Sequence, residues 1–112
     1  MLNKDVIDKI IFDLGQYARD KFPEYAEGFV KDIKKFLEKE GSTIERWVNG
    51  IKDKVLKKEE FFYLLKGKKD VLELEILKQT GIAVLTAERM KNDILGLLSN
   101  AAMKYLGIPM NG

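Results

Sequence analysis

Large apolar side chains return every three or four residues through most of this chain, which is the period of an α-helical face and not the two-residue alternation of a strand. Val6, Ile7, Ile10, Ile11, Leu14, Tyr17 and Ala18 form one such set. Tyr25, Ala26, Phe29, Val30, Ile33, Phe36 and Leu37 form a second, and Ile44, Trp47, Val48, Ile51 and Val55 a third. The pattern predicts an all-α protein. With 112 residues and no Pro/Gly/Ser-rich linker, low-complexity stretch or internal repeat, residues 1–112 read as a single helical domain. A chain of that length buries roughly two-thirds of the surface its unfolded form exposes, so one core is within reach without staples.

Local punctuation divides the pattern into helices. Asn3 or Asp5 is placed to cap a first helix over about 4 to 20. Phe22-Pro23 interrupts it, because proline disfavours helical geometry in the residue before it and fits a helix's first position, so a second helix is expected from Pro23. Gly41 is expected to end that helix, with Ser42 and Glu45 as the capping box of a third helix running to about Lys57. Glu59 and Glu60 then open a short helix through the apolar run 61–65, expected to pack on more than one side and to close at Lys66-Gly67. Asp70 and Glu73 repeat the capping spacing ahead of a last helical stretch, in which Gly81 either makes a break or sits inside one long helix over about 70–106. Gly107 and Pro109 stop it. The expected architecture is a compact bundle of five to six helices, with that C-terminal helix packed by shorter N-terminal ones.

The inventory excludes much chemistry. There is no cysteine, hence no disulfide, thiolate metal site, iron–sulfur cluster or thiol nucleophile. Histidine is also absent, which removes the commonest general base near neutral pH and the commonest transition-metal ligand. The acidic pairs Asp5/Asp8, Glu24/Glu27, Glu38/Glu40, Glu59/Glu60 and Glu73/Glu75 mostly lie on polar faces or in first turns, where solvation or the helix dipole accounts for them. No catalytic residue, metal site or cofactor is therefore expected, and the further alternative is a small-ligand-binding protein or enzyme with a carboxylate or lysine inside a pocket. Lys66-Gly67-Lys68-Lys69 lacks the upstream glycine and the following Ser/Thr of a phosphate loop. The first residues carry an acid where a secretory signal has its basic region, and no apolar run approaches the roughly 20 residues that span a bilayer, so a cytoplasmic chain without a membrane span is expected.

Charge points two ways. Twenty basic and eighteen acidic residues are interspersed, with a net of +2, as on a solvated surface. Residues 52–69, however, hold seven lysines against three acids beside Phe61, Phe62 and Tyr63, which makes Lys57, Lys58, Lys66, Lys68 and Lys69 the candidate contacts of a nucleic-acid-binding alternative. That segment has no arginine for base edges or bidentate phosphate contacts. A helix-turn-helix drawn through Gly81 offers only Arg89 and Lys91 early in its second helix, opposed by Glu88 and Asp93.

The C-terminal stretch 94–110 carries a single charge, Lys104, and is apolar or small nearly all round. Such a helix is expected either at the centre of the bundle or partly left over after folding, pairing there with a second copy or another protein. Leu95, Leu98, Ala102, Met103 and Tyr105 are its candidate interface residues. The functional expectation is a non-catalytic interaction or oligomerisation module, a homo-oligomer or a partner to another protein, that uses this helix as core or interface.

Overall fold

The structure, a computed structural model, describes residues 2–69, 72 and 84–108. Four α-helices and one 3-10 turn account for most of them, with no strand among the described residues. Helix α1 spans Lys4–Lys21, a 3-10 turn covers Pro23–Tyr25, α2 spans Ala26–Lys52, α3 spans Lys58–Lys66 and α4 spans Val84–Tyr105. α1 packs against both α2 and α4, and α3 closes on α4 and α2. The radius of gyration, 13.8 Å, is close to the ~13 Å expected of a globular domain this long. No helix among the described residues is long and apolar enough to cross a membrane.

Each helix starts and stops for a local reason. The Asn3 side chain accepts a hydrogen bond from the Asp5 amide at 2.7 Å, satisfying one of the orphan donors of α1. Ile7, Ile10, Leu14 and Ala18 follow at helical spacing and are buried. At Phe22 the backbone leaves helical geometry, φ −149° and ψ 69°, under the constraint of Pro23. The Phe22 ring stands edge-on to Tyr17 and Phe29, with centroids 5.9 and 5.3 Å away, and fixes the corner between α1 and α2.

The largest departure from expectation is at Gly41, where the chain does not break. α2 is one helix of 27 residues, whose length of about 40 Å matches the 43 Å long axis of the molecule. Its buried stripe, Phe29, Ile33, Phe36, Leu37, Gly41, Ile44 and Val48, runs through the glycine without a change of phase. Gly41 is there for proximity. A Cβ at this position would lie 3.2 Å from Leu2 Cγ and 3.3 Å from the Leu2 amide nitrogen, so the missing side chain is the space Leu2 occupies. Glycine inside a helix costs about 1 kcal/mol relative to alanine, whereas burying a leucine contributes roughly 2 kcal/mol, and Leu2 is almost fully buried. The two helices expected on either side of Gly41 are thus one, and four helices stand among the described residues where five or six were expected.

α2 ends at Lys52, short of the expected Lys57. Lys54 adopts a left-handed conformation, φ 60°, and the amides of Val55 and Leu56 both donate to the Gly50 carbonyl, at 2.9 and 3.0 Å. Glu60 then opens α3 by accepting from the Lys57 amide at 2.9 Å. α4 closes on a Schellman motif: Ile108 donates to the Met103 carbonyl at 2.8 Å and Gly107 to that of Lys104 at 3.3 Å, with Gly107 at φ 92° where a side chain would be strained. The Lys52 ammonium sits near Gly107, at the negative end of the α4 dipole. The expected start of a helix at residue 70 and the question of a break at Gly81 lie outside the described residues.

Candidate interaction surface at the α3–α4 seam

The apolar residues of the C-terminal helix go mostly inward. Leu95, Leu98 and Ala102 have no exposed surface and Met103 very little, together with Ile94, Ser99 and Ala101. Burial around so much of α4 is possible because α1 and α3 cover different sides of it. Tyr105 lies at the edge of this core. Its hydroxyl donates to an Asp13 carboxylate oxygen at 2.8 Å, and the Lys9 and Lys104 ammonium groups stand 5.9 and 5.0 Å from its ring centroid. This contact bolts α4 to α1. Tyr105→Phe keeps the ring and deletes the bond, so a loss of about 1 kcal/mol is expected in urea unfolding; an unchanged midpoint would show the bond to be idle.

The lysines are dispersed. Lys57 precedes α3 and Lys66 ends it, both exposed. Lys68 pairs with Glu40 at 3.4 Å, and Lys69 with Glu88 at 2.5 Å. The hydrogen bond from Lys69, followed by its charge, holds the Glu88 carboxyl below the usual range. Two carboxylates from outside the 52–69 segment thus offset part of its positive charge, and Lys58 turns toward α4. Between α1 and α4, burial and then the Asp93 carboxylate push the Tyr17 hydroxyl above its ordinary pKa. Among the described residues no three acidic side chains come together as a metal could use them.

The apolar run of α3 packs on more than one side, against α2 and α4, but part of it stays exposed. A helix turns about 100° per residue, so five consecutive large side chains on a helix of nine cannot all face one neighbour. Phe61 and Leu65, four apart, are buried, with Phe61 edge-on to Trp47 at 6.4 Å. Phe62 reaches α4 at Gly96, where an added Cβ would lie 3.9 Å from its ring. Tyr63 and Leu64 point away from the core, 67% and 38% exposed, and the Tyr63 ring stands edge-on to Phe62 at 6.0 Å.

Between the two helices lies a groove of about 300 Å³ lined by Lys58, Glu59, Phe62, Ser99, Asn100 and Met103. Its α4 wall belongs to the stripe Asn92, Gly96, Ser99 and Met103, three small or polar residues and one methionine at helical spacing. Asn92 Oδ1, two turns above the groove, is buried and meets no hydrogen-bond donor among the described residues. No family model, curated protein or solved structure matches this chain. Of the residues singled out in the sequence, Met103 and Lys58 meet in this groove, while Leu95, Leu98 and Ala102 lie in the core behind it. Phe62, Tyr63, Ser99 and Asn100 were not singled out as site residues. The phase of α3 was the signal available for the first two, since fixing Phe61 and Leu65 inward sends Tyr63 outward.

A larger, open cleft of about 520 Å³ lies at the end of α2, with Arg46, Trp47, Asp53 and Val55 among its lining. One helix and the turn that leaves it form its walls, and Trp47 is already committed to Phe61. The α3–α4 seam differs in combining a recess between two helices with an exposed aromatic at its rim.

Proposed function

We propose that this chain is a cytoplasmic, non-catalytic helical module that works by self-association, and that the α3–α4 seam is its contact surface. The observation that carries the reading is Tyr63: a large aromatic, two-thirds exposed, beside a groove floored by Phe62 and Met103. Isolated exposed apolar residues are ordinary, but an exposed tyrosine adjoining an apolar recess has the composition of an interface hot spot. In this reading α4 is core on one side and interface wall on the other. Leu95, Leu98 and Ala102 support the wall from inside, Met103 reaches the groove, and Tyr105 keeps the helix seated on α1. The absence of cysteine and histidine agrees with a protein that binds and does not catalyse.

The test is the mass in solution by light scattering across the micromolar range. A mass above 12.9 kDa is expected, returning to the monomer value in Tyr63→Lys with the helical circular dichroism unchanged, because Tyr63 is outside the core. A wild-type chain that stays monomeric at every concentration would overturn the reading.

A further inference from the structure

We infer that α2 carries a latent break between Gly41 and Ser42, and that Leu2, seated on Gly41, is the lock that keeps the helix continuous. The local sequence favours the break. Gly41 sits deep inside a helix of 27 residues, where glycine is a poor helix former. Ser42 follows it, a residue suited to the first position of a helix, with Glu45 at the capping-box spacing. Beyond them Ile44, Trp47, Val48 and Ile51 keep the helical period as far as Lys52, so the second half of α2 has the pattern of a helix in its own right.

The contacts that oppose the break come from outside α2. Leu2 fills the space that a side chain at residue 41 would take, with its Cγ 3.2 Å from where that Cβ would lie. It stands directly before the Asn3 cap of α1, and Ile7 stands four residues after that cap, the two places a hydrophobic staple joins; both are buried. α1 thus delivers Leu2 to the turn of α2 that has room for it. From the other direction Lys68, just past α3, pairs with Glu40 at 3.4 Å, and the Glu40 side chain is only 12% exposed. Two distant segments therefore grip neighbouring residues, 40 and 41, at the turn where the local sequence would part. Leu2 also borders a recess of about 360 Å³, shared with Lys4, Ile7, Asp8, Lys34 and Glu38, which gives its side chain open space to swing into. Once Leu2 leaves, nothing compensates for the glycine, and Ser42 is free to take the capping geometry. α2 is then a two-state element whose balance Leu2 sets. The lock uses no residue of the α3–α4 groove and is independent of self-association.

The experiment is hydrogen exchange on the full chain, resolved by residue, with the amides of 42–44 compared with those of 33–36 in the same helix. In Leu2→Ala the ratio of the two exchange rates is expected to rise at least tenfold over wild type; taking the ratio removes any uniform loss of stability. Adding Ser42→Val should bring it back toward wild type, because valine matches serine in helix propensity but does not cap. Ser42 is exposed, so that change leaves the core intact. Adding Ser42→Asp instead should keep the ratio high, since aspartate caps as serine does. Adding Gly41→Ala to Leu2→Ala should also lower it, the alanine now having space. A ratio unmoved by Leu2→Ala, or raised but indifferent to Ser42→Val, would overturn the lock and leave Leu2 as packing alone.

Discussion

Thr43→Pro should lower the stability of this protein by about 3 kcal/mol or more, a fall of roughly 10 °C in Tm for a domain of this length. The substitution separates the two ways of reading the middle of the chain. If Gly41 ended one helix and Ser42 capped the next, residue 43 would be the first position of a new helix, where proline is favoured and its missing N–H costs nothing. In the continuous α2, Thr43 lies well inside a helix that runs from Ala26 to Lys52. There the proline ring meets the carbonyl four residues back, and one helical hydrogen bond is lost. Because α2 carries Phe29, Ile33, Leu37, Ile44 and Val48 on one buried stripe, a kink at its centre also separates the two halves of that stripe. Thermal unfolding followed by circular dichroism decides it: a Tm within a few degrees of wild type would restore the broken helix.

Gly41 shows where sequence reading reaches its end. The boundaries that local chemistry controls were legible: Asn3 at the start of α1, Pro23 at the corner, Glu60 at the start of α3 and Gly107 at the end of α4 all act as their residue types predict. Glycine is different, because it serves either a backbone that needs positive φ or a neighbour that needs space, and only the neighbour tells which. At Gly107 the backbone needs it; at Gly41 Leu2, thirty-nine positions away in sequence, needs it. The capping-box spacing of Ser42 and Glu45 reinforced the wrong alternative, since a polar pair three apart also fits the outer face of an uninterrupted helix.

The candidate site was legible in the same partial way. An unusually apolar α4 marked itself in the sequence, but burial divides its residues, and which of them line a groove depends on the angle at which α3 crosses. Nothing in the sequence sets that angle. The orientation of Tyr63 follows from Phe61 and Leu65 being inward, where Phe61 stands edge-on to Trp47 of α2.

Leu98→Asp carries the largest expected effect and decides what α4 is for. Were Leu98 on a surface shared only between copies, a carboxylate there would separate the copies and leave each one folded. Leu98 instead has no exposed surface within a single chain. Truncating a buried leucine to alanine alone costs about 2–5 kcal/mol, and a charge left without a partner in the same space adds several more. Small domains have roughly 5–15 kcal/mol to lose, so the substitution takes most of it. The expected result is a chain that loses its helical signal and its thermal transition at neutral pH, with the Trp47 fluorescence shifted to that of an exposed indole. Tyr63→Lys, by contrast, is expected to change only the mass. A folded, monomeric Leu98→Asp protein would move the interface onto the inner face of α4 and with it the whole assignment of core and surface, whereas unfolding in one variant and dissociation in the other would divide the helix between the two roles as its burial does.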